Sequence, residues 1–366
     1  MVMIAWFVGL LLFLGNPSRI FAADPALAWE TEWERTVRAA EQEGQLVYYK
    51  LRTGVEYEAF QKKYPKIKVM AESGRASQLL QRITAERRAG KYLADVIRVG
   101  GGSFGTLVNA KIVDPIAPAL ILPEVIDPSK WFEGKHHFND AEGKHVFIYA
   151  AFPLRFVAYN TQMVDPKTLT SMRDLLDPRW KGKITLKDPR DPGGGSPLLY
   201  LYYNPRLGPE FIRKLLQNSL TLVRDERQQI DWLASGKYPV ALTAKADDVD
   251  EAKRQGLPVT VMDPHAFRKD GVGLEAGGTM IGLVNRAPHP NAARVFLNWF
   301  LSREGQIALQ KGAPNDPGPN SLREDIPKDD LPAYLHRQKG VNYTRLWGPE
   351  VWDRDAARKF VTELVK

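Results

Sequence analysis

The chain predicts an α/β protein of two domains, and three observations point there. Short apolar runs of strand length alternate with stretches of helical periodicity along most of the sequence. Its 366 residues exceed what a single core usually serves. Apolar residues make up 44% of the chain, enough to fill two cores.

The elements follow in order. Leu46–Tyr49 reads as a strand ending in the loop 50–54. A short amphipathic helix then buries Phe60 and stops at Tyr64-Pro65. Ile67–Met70 is the next strand, and its exit 73–77 enters a helix burying Leu79, Leu80 and Ile83, with Gly90 as a left-handed cap. Val96–Val99 runs into Gly100-Gly101-Gly102-Ser103. Three βα units in succession imply a largely parallel sheet. Val146–Ala151 and Phe156–Tyr159 are extended, with a kink at Phe152-Pro153 where a first interdomain crossing is placed.

Beyond it lie a helix at Leu169–Leu176 and a strand at Ile184–Leu186. Helices follow at Pro197–Tyr203, Glu210–Ser219 and Arg227–Ser235, the last stopped by Gly236. Pro239–Thr243 and Val259–Met262 are strands, and the return crossing falls at 263–278. Thr279–Val284 and the helix Ala292–Leu301 rejoin the first domain, 314–319 is a loop, and a terminal helix starts near Asp353.

The N-terminus carries an apolar run, Ile4–Leu14, then a Gly-Asn-Pro break and small residues at Ala22-Ala23. That run is shorter than the roughly 20 residues of a membrane span and suits a secretory signal peptide over 1–23. A buried N-terminal helix is the other reading. The chain has no cysteine, which excludes a disulfide framework, a thiolate nucleophile, Cys-ligated zinc and a lipidated N-terminal Cys. The expected product is a soluble, monomeric periplasmic protein without a lipid anchor. The formal charge of +8 is spread among acidic residues and forms no basic run, so no nucleic-acid partner is expected.

Leu175 to Asp188 reads LLDPRWKGKITLKD, and with Tyr159–Thr161 it resembles a recurring segment of the solute-binding proteins that serve ABC importers. Further pieces keep the same order: QLVYYKLR (45–52), EAFQKKYPKIKV (58–69), AERRAGKYLADVI (85–97), DWLASGKYPVAL (231–242) and NRAPHPNAARVFLNWFLSREGQ (285–306). The resemblance is to the branch that includes ferric-ion binders. It implies the type II periplasmic-binding-protein fold, two α/β lobes joined by two crossover segments. Lobe one would hold 24–151 plus 279–366, and lobe two 152–262. It also implies a carrier, not an enzyme, that closes on a solute and docks on an inner-membrane permease.

In open parallel sheets ligands bind beyond the carboxyl ends of the strands. That rule selects Arg52 and Thr53, Ser73 and Arg75, Gly101, then Arg190 with Gly194, Gly195 and Ser196, and Lys245. Helix N-termini and arginine forks at such loops favour an anion, a carboxylate or phosphonate. Tyr48, Tyr49, Tyr149 and Phe152 either stack on a ligand or pack in the core. Gly100–Gly102 and Gly193–Gly195 are read as tight turns, and no GK[ST] P-loop is present, so no cofactor is expected. No HExxH motif is present.

Ferric or other metal binding is the alternative. The ferric branch uses a tyrosine pair after the strand that follows a segment like LASGKYPVAL, and this chain has Thr243-Ala244-Lys245-Ala246-Asp247-Asp248 there. Tyr202-Tyr203 falls inside a helix, where neighbours point about 100° apart. His136-His137 reads as an exposed loop, and Asp247, Asp248 and Asp250 as the acidic start of a helix.

Overall fold

The computed structural model describes residues 25–51, 56–188, 195–312, 319–348, 351 and 353–365. The signal peptide expected over 1–23, and with it Arg52, Thr53, Arg190 and Gly194, lie outside these residues.

The chain opens with α1 (Pro25–Glu43), β1 (Gln45–Leu51), α2 (Glu56–Lys63), β2 (Lys68–Gly74), α3 (Ala76–Arg88), β3 (Val96–Val99) and α4 (Gly101–Asn109). After β4 (Val113–Asp114) and α5 (Pro123–Ile126) come four short strands: β5 (His137–Phe138), β6 (Phe147–Ile148), β7 (Phe152–Pro153) and β8 (Val157–Asn160). The middle of the chain holds β9 (Ile184–Lys187), α6 (Gly195–Tyr203), α7 (Gly208–Gln217), β10 (Thr221–Val223), α8 (Glu226–Ala234), β11 (Val240–Leu242), α9 (Ala246–Arg254) and β12 (Val259–Val261). Then follow β13 (Val272–Glu275), β14 (Met280–Val284), α10 (Pro290–Leu301), α11 (Arg303–Lys311), β15 (Tyr343–Arg345) and α12 (Arg354–Leu364).

Among the described residues there are three sheets. The first runs β2-β1-β3-β14-β6-β5, with β4 on β14; the second runs β10-β9-β11-β8-β12. Each has its own buried core, one around Tyr48, Phe60, Phe104 and Phe296, the other around Leu175, Phe211, Leu233 and Leu242 or their neighbours. The architecture is the two-lobed α/β fold, but the first sheet is mixed. β1 is parallel to β2 and β3, whereas β14 is antiparallel to β3 because the chain re-enters lobe one running the other way.

The third sheet, β15-β13-β7, joins the lobes. β7 lies between strands of the first and second sheets, β13 lies on the way back, and the two pair antiparallel. The expected kink at Phe152-Pro153 is therefore a hinge strand. β15 adds a third connection, parallel to β13. It leads into α12, whose Ala357 and Val361 are buried in the second core. The C-terminal helix thus packs on lobe two, not lobe one as expected. Its apolar stripe fits the exposed flank of α6, where Phe360 lies 5.6 Å from the Tyr202 ring.

Two local expectations change. The helix expected over Leu169–Leu176 is a 3-10 turn, Met172–Leu176, begun by Ser171, whose hydroxyl accepts from the Arg173 N–H. His136-His137 is not an exposed loop. His137 lies in β5 and is buried, its Nε2 against the Phe132 carbonyl at 2.9 Å, while His136 packs edge-on to Trp131.

α10 anchors lobe one. Every residue from Val295 to Leu301 is buried, and Asn298 among them is fully bonded. Its amide donates to Ala119 and Arg294 carbonyls, and its oxygen accepts from the Ile121 and Leu122 N–H groups. Gly305 lets α11 turn against α10, since a Cβ there would lie 2.0 Å from the Trp299 carbonyl.

Candidate functional site

A cleft of about 900 Å³ opens between the two lobes, at the hinge sheet. Its lobe-one wall comes from strand ends of the first sheet. Leu51 ends β1, Glu56 opens α2, Arg98 projects from β3, and Tyr149 follows β6. Lobe two contributes Lys187 from the end of β9, Ser196 and Pro197 from the start of α6, and residues 243–247 at the start of α9. Sheet geometry brings these together: parallel strands end at one edge, and each helix begins there.

Lobe one's wall is a buried polar cluster. Arg98 is 5% exposed and Glu56 4%. Arg98 Nη1 stands 3.6 Å from Glu56 Oε1 and donates to the Tyr149 hydroxyl at 3.3 Å, while the Tyr48 hydroxyl donates to Glu56 Oε1 at 2.9 Å. Burial opposes the charge on Arg98, but Tyr149, Tyr48 and Glu56 outweigh it and keep the guanidinium protonated. Burial pushes the Tyr149 and Tyr48 hydroxyls up, well away from tyrosinate. Lys50, also buried, donates to the Leu51 carbonyl at 2.9 Å, and burial lowers its pKa. Of the charged side chains lining this wall, Arg98 and Glu56 offset each other.

Lobe two's wall carries paired charges. Lys187 meets Glu226, Lys245 reaches Asp248 at 3.4 Å, and Arg155 holds Asp250 at 2.9 Å while stacking 4.0 Å from the Tyr334 ring centre. Thr243 sits at φ 58°, an uncommon conformation for a β-branched residue. There its hydroxyl accepts from the Lys187 N–H at 3.0 Å and donates to the Leu242 carbonyl at 2.6 Å. That geometry fixes the end of β9 against the entry to α9. Across the described lining, acidic and basic side chains are equal in number, five of each.

Of the residues expected at the site, Ser196 and Lys245 line the cleft, and Gly195 opens α6 beside it. Ser73 and Arg75 are exposed and do not line it. β2, at the sheet edge, runs on to Gly74, so its exit points away from the cleft, and Arg75 serves as the N-cap position of α3. Gly101 begins α4 behind the wall, where a Cβ would meet Asn139 and Met280. Tyr149 and Phe152 line the cleft, whereas Tyr48 and Tyr49 are core residues.

The candidate metal groups are engaged elsewhere. Tyr202 packs on Phe360, and the Tyr203 hydroxyl donates to the Asp353 carbonyl at 2.6 Å. Among the described residues no group of three or more His, Asp or Glu side chains converges as a metal site.

The model of the family described as bacterial extracellular solute-binding protein matches residues 46–307, from β1 into α11. The chain belongs to this family. It is thereby a solute-binding protein of the kind that serves ABC importers, a family of carriers. Solved structures share the type II periplasmic-binding-protein fold. The IdiA/FutA protein of Trichodesmium, in complex with iron and citrate, is 20% identical, with 88% of this chain and 99% of that one covered at a TM-score of 0.62. AfuA of Actinobacillus pleuropneumoniae, with exogenous fructose-6-phosphate bound, is 20% identical over 88% and 98% at 0.54. An uncharacterised Haemophilus influenzae protein is 27% identical over 175 residues, 47% of this chain; the match spans about half of that relative, 48%.

Sequence reasoning missed Arg98, Glu56 and Lys187 in this family member. Arg98 had a visible signal, a lone cation inside the four-residue apolar strand VIRV, which burial makes costly unless it is used. Glu56 had none, because an acidic residue in the first turn of a helix has an ordinary electrostatic reason to be there.

Proposed function

We propose that this protein works in the periplasm as the substrate-binding component of an ABC importer. It captures a small organic anion between its lobes by hinge closure and delivers it to a membrane permease. The observation that carries the reading is the cleft itself. One wall holds the buried Arg98 beside Glu56, with Lys50 within electrostatic reach of both, and the other holds Lys187 with the N-termini of α6 and α9. Backbone N–H groups at those termini carry partial positive charge toward an anion. A ligand touching both walls stabilises the closed state by its differential affinity. No helix among the described residues is long and apolar enough to cross a membrane, as suits a carrier that meets its permease from outside.

Iron is the competing solute, favoured by the iron-bound neighbour. Against it stand the two tyrosines of the described lining. Tyr149 is raised by burial and bonded to Arg98, and Tyr334 lies under Arg155. A thermal-shift screen of carboxylates, phosphate esters, phosphonates and ferric salts tests the choice. An anion should raise Tm in the wild type, and Lys187→Ala should weaken its binding by roughly ten- to a hundredfold, the loss of a charge-assisted hydrogen bond. Stabilisation by Fe(III) alone sinks the anion reading.

A further inference from the structure

One group in the lobe-one wall is left unexplained by an anion alone. Glu56 lines the cleft, and its Oε1 accepts from Tyr48. Its Oε2 is buried and takes no hydrogen bond. The Tyr149 hydroxyl, also on the wall, accepts from the same Arg98 Nη1 that lies by Glu56, and no hydrogen bond among the described residues uses its proton. An idle acceptor and an idle donor therefore flank one guanidinium nitrogen at the cleft.

A buried carboxylate oxygen without a donor is costly to keep. A purely anionic ligand meets repulsion from Glu56. A ligand that also brings a donor removes the deficit and gains a charge-assisted hydrogen bond. Sites built to bond a ligand OH or NH reject analogues lacking it, because the site's own polar group is then left bare.

We infer that the cleft selects, among small anions, those that also carry a hydrogen-bond donor, a hydroxyl or a protonated amine, which Glu56 Oε2 accepts and the Tyr149 hydroxyl orients. The inference rests on the anion reading above and narrows it. It makes Glu56 and Tyr149 specificity residues, and assigns Arg98 the task of holding both in place.

Calorimetric titration with two matched trios tests it: propionate, 3-hydroxypropionate and β-alanine; then ethyl phosphate, 2-hydroxyethyl phosphate and phosphoethanolamine. In the wild type a donor-bearing member should bind roughly tenfold or more tighter than the plain member of its trio. Which of the two does so tells hydroxyl from amine. Glu56→Gln presents an N–H where the ligand's donor must lie, so the preference should fall to about twofold or less. Tyr149→Phe keeps the ring against Phe300 and loses only the hydroxyl, so it should reduce the preference even if Glu56→Gln fails to fold. Plain anions bound as tightly as their donor-bearing partners overturn the inference and leave the anion reading standing. A preference unchanged in the variants also overturns it. Binding of none of the six compounds overturns the anion reading and the inference with it.

Discussion

His137 shows how burial decides a residue's chemistry. Buried beside Phe132 and Trp347, it is lowered to about 4, chiefly by desolvation of its charged form. The folded state therefore favours neutral His137, while the unfolded chain takes up a proton near the ordinary value of about 6.5. Its contribution to stability is complete above about pH 6.5 and is lost as pH falls from there toward 4, by an order of 2–3 kcal/mol. Tm measured from pH 7 to 4.5 should fall more steeply in the wild type than in His137→Gln, which cannot titrate. Parallel curves would mean that the ring is solvated or that its neighbours titrate instead. Nothing in the His136-His137 doublet marks it as buried, because a histidine pair between Lys135 and Phe138 suits a loop equally well.

Among the elements, α12 has the most consequence for the site. Asp353 caps it, accepting from the Ala356 N–H at 2.9 Å, and its buried side packs on α6 and α7. The cleft end of α6 supplies Ser196 and Pro197, so α12 braces the helix whose N-terminus lies at the cleft. Val361→Ala removes two methyl groups from a fully buried site and should cost about 1.5–3 kcal/mol in denaturant unfolding. A change within about 0.5 kcal/mol would show that the helix is only loosely docked. The amphipathic pattern of 354–364 was readable as a helix, and its start near Asp353 matches. Which lobe receives an amphipathic face is not written in its period, because either core offers an apolar groove.

At the scale of the molecule, three strands from three distant parts of the chain form the hinge. β7, β13 and β15 pair edge to edge, so the lobes are tied by a small sheet and not by two free linkers. Gly273 keeps that sheet close to lobe two, since a Cβ there would sit 3.0 Å from the Tyr200 ring. Such a sheet bends about one line, which suits closure of one lobe on the other. Small-angle scattering should show a smaller radius of gyration on saturation with a stabilising anion. An unchanged radius, with binding proved by calorimetry, would argue for a preformed closed cleft.

The sequence by itself determined what depends on local order. Apolar periodicity set most strands and helices, and motif order along 45–306 identified the family, the fold and a carrier's role. Those signals are local or cumulative, so they survive without coordinates. Tertiary structure alone decided which charges face the cleft. Arg75 and Arg98 both stand at strand ends of lobe one, yet β2 lies at the sheet edge and β3 beside its centre, so of the two only Arg98 lines the cleft. The same holds for Glu56 and for the third hinge strand. A strand's rank in a sheet is set by pairings between residues far apart in the chain, and no local pattern records it.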